Sequence, residues 1–141
     1  MKCPVCKEQM IVVEYHNIEL DCCTNCHGTW FDNEELDLLF RSMEMNDAEG
    51  FVERLVIQPE APSDEAKRRC PICRRKMKKQ LIGSDPQVLV DCCPKNHGLW
   101  FDEGEVHHLV NSLNPGKIAE YNSEQELLVF LGEVFDAKKH N

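Results

Sequence analysis

The sequence is short of several features that would place it in a common class. No apolar stretch is long enough to cross a bilayer, and no apolar run precedes Cys3, so we expect neither a membrane span nor a signal peptide. Basic residues are outnumbered, because 16 lysines and arginines stand against 25 aspartates and glutamates, for a net charge of −9. This balance argues against a protein that coats nucleic acid by bulk electrostatics.

Cysteine, by contrast, is abundant, with nine residues in a chain of 141. Small units bury too little apolar surface to fold comfortably alone, so additional cross-links or metal ions are expected. Without a signal peptide, we expect a cytoplasmic protein whose thiols are reduced. In a reducing compartment, Cys-x-x-Cys pairs indicate metal ligands before they indicate disulfides.

An internal repeat covers most of the chain. Shifting the sequence by 67 residues aligns residues 3–6 with residues 70–73, each reading Cys-Pro-x-Cys. Shifting it by 70 aligns residues 21–35 with residues 91–105, which share Asp-Cys-Cys and His-Gly-x-Trp-Phe-Asp-x-x-Glu. The three additional residues fall where a hairpin turn is predicted, and turns tolerate insertions best.

Each copy predicts a hairpin followed by a helix. Alternating β-branched residues predict paired strands over 10–15 and 18–22, and again over 77–82 and 87–91. After each hairpin the apolar residues adopt helical spacing. The two matching stripes are Leu36, Leu39, Phe40 and Met43, and Val106, Leu109, Val110 and Leu113.

The cysteine spacing of the first copy predicts a zinc site. Two Cys-x-x-Cys pairs separated by 16 residues lie within the range of a four-cysteine zinc ribbon, in which a hairpin brings two tight knuckles together. The predicted ligands are Cys3, Cys6, Cys23 and Cys26. Four thiolates leave no open position on the metal, so this zinc is expected to hold the fold rather than to catalyse a reaction.

The second copy departs from the first at the fourth ligand. Asn96 replaces Cys26, and an amide is a poor zinc ligand, but His97 follows directly. The predicted second set is Cys70, Cys73, Cys93 and His97, which gives two Zn²⁺ ions for the chain. Two alternatives stay open: Cys92 as the fourth ligand, or a three-cysteine site whose bound water supports chemistry.

Other repeated residues have structural explanations. The D-x-x-E pairs that begin at Asp32 and Asp102 fit helix capping boxes better than acid–base pairs. The Trp-Phe pairs at Trp30 and Trp100 are expected to join knuckle to helix and to pack in the core, with base stacking or partner contact as the sharper alternative.

Three further residues near the predicted ligands receive supporting roles. His27 lies beside a complete cysteine set, so we expect it to be a hydrogen-bonding neighbour of the metal rather than a ligand. Cys22 and Cys92 each precede a ligand cysteine on a strand, where successive side chains point to opposite faces. Both are expected to be buried apolar residues.

We therefore expect a small α+β zinc-bound fold of two tandem zinc ribbons, each followed by an amphipathic helix, plus a C-terminal helix. Residues 123–139 supply the last helix, which we expect to pack on the core of the chain, with a partner groove or a dimer seam as alternatives. The predicted divisions are 1–57 for the first ribbon with its helices, 58–69 for a linker, 70–114 for the second ribbon and its helix, and 115–141 for the C-terminal helix and tail.

The repeated motif resembles the transcription factor IIB-type zinc-ribbon family of bacteria and archaea, whose pattern is C-P-x-C, a hairpin, and C-P-x-C-x-G-x-W-x-D-x-x-E-L. The first copy matches at Cys3, Pro4, Cys6, Cys23, Cys26, Gly28, Trp30, Asp32, Glu35 and Leu36, with Thr24 in place of the second proline. The second copy matches at Cys70, Pro71, Cys73, Cys93, Pro94, Gly98, Trp100, Asp102 and Glu105. The resemblance implies zinc binding and a ribbon fold, whereas a shared fold does not by itself imply an activity.

These observations favour a non-enzymatic zinc-binding adaptor or regulator, with a transcription-related role among its forms. Residues 67–79 carry +8 while the remainder carries −17, so a contact with nucleic acid through this segment competes with a simple local charge balance. The candidate phosphate contacts are Arg68, Arg69, Arg74, Arg75, Lys76, Lys78 and Lys79. A protein partner, and a zinc-handling or thiol redox-sensing role, are the other hypotheses, and no membrane contact is expected.

Overall fold

One antiparallel sheet of six strands organises the part of the chain that the computed structural model describes, residues 1–15, 17–42, 50–83, 87–102 and 129–131. The strands are β1 (Ile11–Tyr15), β2 (Ile18–Cys22), β3 (Thr29–Asp32), β4 (Lys78–Ile82), β5 (Val88–Cys92) and β6 (Gly98–Phe101). Their order in the sheet is β1-β2-β3-β6-β5-β4. The first and second halves of the sequence therefore supply opposite halves of the sheet.

Two helices follow the first three strands. Helix α1 spans Asn33–Ser42 and helix α2 spans Phe51–Ile57, and neither is long and apolar enough to cross a membrane. Acidic residues occupy the first turn of α1 and Arg41 its last, which complements the helix dipole. The predicted helix at residues 106–113 lies outside the described residues, as does the predicted helix at 123–139 except for 129–131, which are helical.

The centre of the sheet is the part that the sequence pattern did not predict. Strands β3 and β6 pair with each other, with Trp30 opposite Trp100 and Phe31 opposite Leu99. Trp30 and Phe31 do join the knuckle to helix α1 and are buried, as predicted, but they do so as a strand, which the sequence pattern did not predict. A strand buried on both faces carries a continuous apolar run without polar alternation, which hides its period of two.

A single row of side chains across the sheet shows how similar its two halves are. The paired positions from one edge to the other are Val12, Asp21, Trp30, Trp100, Asp91 and Lys79. The two tryptophans meet at the centre and an aspartate flanks each of them. Only the outermost pair differs, with an apolar valine at one edge and a lysine at the other.

The two faces of the sheet pack against different partners. One face forms an apolar core with α1, α2 and the helical residues Phe130 and Leu131, both of which are buried. The other face carries Trp30 and Trp100, which pack against four buried cysteines and two buried methionines at or beside the knuckles. Each half of the chain therefore buries apolar surface against the other as well as against itself.

Two glycines make room for this central packing. A Cβ atom on Gly28 would lie 2.2 Å from Cζ2 of Trp100, and one on Gly98 would lie 2.8 Å from Cζ2 of Trp30. Real Cβ atoms do not approach that closely, so a side chain at either position would displace an indole ring. The Gly-x-Trp motif therefore accommodates the tryptophan of the opposite half.

Residues 58–61 lie along the outer edge of β4 and form hydrogen bonds with it. Along β4, the amide of Ala61 donates to the carbonyl of Lys79 at 2.8 Å, and the amide of Lys79 donates to the carboxylate of Glu60 at 2.9 Å. Lys78 and Gln80 add side-chain hydrogen bonds to the carbonyl of Gln58. The predicted linker thus covers this edge, as native proteins commonly do with strands that would otherwise pair with other chains.

Candidate metal centres

The four predicted knuckles are tight turns of nearly the same form. In three of them, the fifth residue donates its amide to the carbonyl of the first cysteine and adopts a positive φ; these residues are Lys7, His27 and Arg74. Amides inside each turn point at the leading thiol, as from Val5 and Cys6 to Sγ of Cys3 at 3.3 Å each. Such hydrogen bonds stabilise the negative charge of a thiolate.

The first predicted set comes together at the end of the β1–β2 hairpin. The sulfurs of Cys3, Cys6, Cys23 and Cys26 all lie within 4.8 Å of one another, and Sγ of Cys3 is 3.6 Å from Sγ of Cys26. Asn25 adds a hydrogen bond from its side-chain amide to Sγ of Cys6 at 3.2 Å, a contact that sequence reasoning missed. Four convergent sulfurs fit a tetrahedral zinc ion.

The second predicted set comes together in the same way with an imidazole as its fourth donor. The donor atoms of Cys70, Cys73, Cys93 and His97 lie within 4.8 Å of one another. Nδ1 of His97 is 3.4 Å from Sγ of Cys93 and 3.9 Å from Sγ of Cys70. Three thiolates and one imidazole also fit zinc.

The turn at Cys93 explains why histidine replaces cysteine there. Asn96 takes the positive φ of 65° and donates its amide to the carbonyl of Cys93 at 3.0 Å, so the turn closes one residue earlier than at Cys23. Asparagine tolerates this left-handed conformation better than most residues. The donor consequently moves to the next residue, and the longer side chain of His97 reaches the position that a thiol would occupy.

One thiol in each donor set has a lowered pKa. Burial raises the pKa of Cys23, but the amides of Cys26 and Asn25 outweigh it and lower the value to about 7. The pKa of Cys73 is similarly lowered to about 7, because hydrogen bonds from the amide of Arg75 and the imidazole of His97 outweigh the effect of burial. Each set therefore contains one thiol that ionises readily near neutral pH, and zinc binds the ionised form.

The remaining residues near the sites lie apart from the donor sets. Cys22 and Cys92 are buried on the helix-covered face, and Sγ of Cys92 lies 3.5 Å from the carbonyl of Lys78, so Cys92 does not join the second set. The imidazole of His27 is exposed and makes no hydrogen bond to the described residues. The interpretation of His27 as a hydrogen-bonding neighbour of the metal is therefore wrong, and Asn25 fills that place.

Helix capping accounts for only part of the two D-x-x-E pairs. Asp32 accepts a hydrogen bond from the amide of Glu34 at 2.9 Å and so caps α1, while Glu35 accepts one from the amide of Glu19 on β2. Asp102 instead accepts from the indole of Trp100 at 3.1 Å and pairs with Arg68. Glu105 lies outside the described residues.

A third group of acidic side chains is an ion-pair network rather than a metal site. Carboxylate oxygens of Glu65, Asp91 and Asp102 lie within 4.8 Å of one another. The guanidinium of Arg68 contacts all three, and the ammonium of Lys79 lies 2.7 Å from Asp91 and 3.0 Å from Glu65. Two cations therefore already pair with these three carboxylates.

This network changes the interpretation of the basic segment. Of the seven predicted phosphate contacts, Arg68 and Lys79 pair with these acids, and Lys78 donates to the carbonyls of Val56 and Gln58. Their burial or local pairing makes them unavailable to phosphates. The exposed cations that remain are Arg69, Arg74, Arg75 and Lys76, which surround the first knuckle of the second donor set.

Comparison with known proteins supports the prediction of a zinc ribbon in the N-terminal part of the chain. Residues 2–42 match the model of a family described as Transcription factor zinc-finger, a zinc ribbon of the transcription factor IIB type. No match to the chain was found among curated proteins or among solved structures. The matched range includes the first donor set, strands β1 to β3 and helix α1. The match of residues 2–42 to this family model thus supports a zinc ribbon in the N-terminal part of the chain.

Proposed function

We propose that the chain is a non-enzymatic zinc-binding adaptor or regulator, built from two tandem zinc ribbons that share one sheet and hold a rigid surface for a partner. The observation that carries the proposal is the closure of both donor sets, each with four convergent donors at separations suited to zinc. A metal with four protein ligands has no position for water or substrate, so its contribution is structural.

The geometry of the second half of the chain supports its assignment as a second zinc ribbon. Strands β4 and β5 pair with the register of β1 and β2, and β6 adds to β5 as β3 adds to β2. Knuckle turns at Cys70 and Cys93 carry the donors, as in the matched residues 2–42. Two ribbons in one sheet give a larger and stiffer surface than either would alone.

A protein is the partner class that the charges favour. Three of the seven candidate phosphate contacts are at least partly buried and engaged within the chain, and Arg69, although exposed, donates to the carbonyl of Arg74. Four exposed cations therefore stand against a net charge of −9. Binding of nucleic acid depends on the number of phosphates neutralised, and acidic surface elsewhere opposes it. A cytoplasmic location is part of the same proposal, because seven of the nine cysteines belong to donor sets that must stay reduced to bind zinc, and a reducing compartment keeps them so.

X-ray absorption at the zinc edge tests the closed sites. We expect two zinc ions per chain, with sulfur and a minority of nitrogen donors and no oxygen donor. An oxygen donor at either zinc would mean an open position and would overturn the non-enzymatic assignment. The His97→Ala variant is the matched control, since it should remove the nitrogen donor and admit an oxygen donor from water at the second zinc, which shows that the measurement detects an open position.

A salt titration tests the choice of partner class. We expect the protein to bind generic DNA and RNA weakly, with little dependence on salt, and the Arg74→Gln, Arg75→Gln variant to behave like the original. A steep fall of affinity with salt that this variant abolishes would assign the segment to phosphate contact instead.

A further inference from the structure

Within the part of the chain that the structure describes, no segment covers the outer edge of β1 as residues 58–61 cover the outer edge of β4. Val12 pairs with Asp21 in the register in which Lys79 pairs with Asp91, so the amide and carbonyl of Val12 also face away from the sheet. Among the described residues, none outside the sheet hydrogen-bonds to the backbone of Val12. The side chains of Ile11 and Val12 are 49% and 62% exposed, which leaves an apolar strand open to pairing.

The aspartates beside this edge also lack the cations that their counterparts have. In the second half, Asp91 and Asp102 face the guanidinium of Arg68, and Asp91 also contacts the ammonium of Lys79. In the first half, valine stands in place of that lysine. No ion pair with Asp21 or Asp32 is found among the described residues.

The electrostatics of Asp21 reflect this difference. The carboxylates of Asp32 and Glu19 lie near Asp21, and the amino group of Met1 is the cation among the described residues that acts on it. Residues 1–57 hold 12 acidic and 4 basic residues, so the surroundings add further negative charge. A cationic side chain arriving at this edge would meet a field that attracts it.

We propose that the β1 edge is a docking site for an extended, basic segment of a partner protein, which adds a strand beside Val12 and places an arginine or lysine against Asp21 and Asp32. The second half of the chain carries the internal counterpart of this complex. There, residues 58–61 cover the edge through the backbone of Lys79, and Arg68 and Lys79 supply the positive charge.

The exposed apolar strand favours a partner segment that is extended and carries a long cationic side chain opposite Val12. Backbone hydrogen bonds supply affinity when a strand is added to a sheet, and the side chains of alternate residues supply specificity. The residue opposite Val12 points to the same face as Asp21, so a long cationic side chain there lies over the valine with its charged end toward the carboxylate. A free second copy is a poorer occupant, because its own β1 edge would bring another acidic half to the same place.

Titration of the zinc-loaded protein with a synthetic peptide of alternating valine and arginine tests the proposal. We expect the largest backbone amide shifts in nuclear magnetic resonance spectra at Val12 and Glu14. Two control peptides separate strand addition from charge alone: one has glutamate for arginine, and the other keeps the arginines but has prolines for the valines. Both should bind at least tenfold more weakly, since each loses one of the two contacts.

Variants at the two edges locate the site. Val12→Pro removes the outward amide and should weaken peptide binding at least tenfold, whereas Leu81→Pro, two residues beyond the counterpart of Val12 on the covered β4 edge, should leave it unchanged. Val12→Lys supplies the missing cation within the chain, as Lys79 does, and should also weaken binding about tenfold. Circular dichroism and zinc content of each variant show whether it is folded, and Asp21→Asn provides a milder substitution for the same measurement.

Three results would overturn the proposal: equal binding of the proline peptide, amide shifts away from β1, or a dimer of the protein alone that Val12→Pro dissociates. The last would assign the edge to a second copy. The inference rests on the proposed adaptor function but fails separately from it. A protein with two closed zinc sites and no affinity for the valine–arginine peptide would end this inference alone.

Discussion

The two halves of the sheet share a register and a central tryptophan pair, yet they solve the problem of their outer edges in opposite ways. The second half fills its edge with the chain's own residues 58–61 and pairs its aspartates with Arg68 and Lys79. In the first half Val12 is exposed, and its aspartates have no ion pair among the residues that the structure describes. The comparison teaches that one framework supports a self-contained unit and an open one, with the difference confined to the rim.

Metal removal should have the largest effect and should act on both halves alike. Structural zinc contributes on the order of 10 kcal/mol to small zinc-dependent folds, so a strong chelator should unfold the chain. Because Trp30 and Trp100 pack against both donor sets, Cys23→Ser and Cys93→Ser should each destabilise both halves. Circular dichroism and tryptophan fluorescence measure this outcome, and a half that stays folded after the other loses zinc would contradict it.

Removing the cation of the buried ion pair should destabilise the protein far more than the matching substitution in the first half. Lys79→Met leaves the buried carboxylate of Asp91 without its nearest cation, at an expected cost of about 3–5 kcal/mol in the free energy of unfolding. Val12→Met, at the matching position of the first half, should change stability by less than about 0.5 kcal/mol because the site is exposed. Denaturant unfolding with zinc present measures both, and equal effects would contradict the asymmetry.

Filling the space beside the tryptophans should have an intermediate effect. Gly28→Ala places a methyl group against the indole of Trp100 and should cost about 1–3 kcal/mol through overpacking. Gly98→Ala should cost more, since its Cβ would also lie 2.4 Å from the backbone oxygen of Phe31, which moves less easily than a side chain. Thermal unfolding gives the order of the two, and the reverse order would contradict this account of the packing.

The smallest expected effect concerns the uncovered aspartate. Burial raises the folded-state pKa of Asp21 above its ordinary value of 3.8, so the folded chain binds more protons there than the unfolded chain and loses stability as pH rises through that range. Asp21→Asn removes this penalty and should raise stability at pH 7 by a few tenths of a kcal/mol, at about the limit for surface changes. The gain should shrink at lower pH.

The matched variant at the covered edge should have the opposite sign. Asp91→Asn leaves the buried ammonium of Lys79 without its nearest carboxylate, so it should lower stability at pH 7. Melting temperatures of both variants at pH 7 and pH 5, each relative to the original protein, provide the measurement. A loss of stability in Asp21→Asn would mean that its carboxylate has a stabilising partner in solution.

Local pattern was sufficient for the hairpins and for the donors. The strand bounds predicted from alternation differ from β1, β2, β4 and β5 by at most one residue at any end. The donor sets followed from spacing because a knuckle is closed by hydrogen bonds within five residues, as between Lys7 and Cys3. His97 could be predicted as the fourth donor although Asn96 replaces the cysteine, because the change shifts a single local turn by one residue.

The pairing of the halves was decided only in the tertiary structure. Strands β3 and β6 have few polar residues to mark a strand face, and the partner of each lies about 70 residues away in sequence. The positions of Arg68 and Lys79 under acidic side chains also depend on how the linker crosses β4, a path that no spacing in the sequence encodes. Their charge alone made them look like phosphate contacts.

The sequence by itself therefore determined the local units: two hairpins whose knuckles each bring four candidate metal donors together, and a first helix with its apolar stripe. Short-range hydrogen bonds and metal-ligand geometry define these units, so residue type and spacing suffice. The tertiary structure alone decided that the two units form one sheet, that each glycine receives the opposite tryptophan, and that one edge is covered while the other is open. These features arise from contacts between residues distant in the chain, where burial and charge depend on what folds against them.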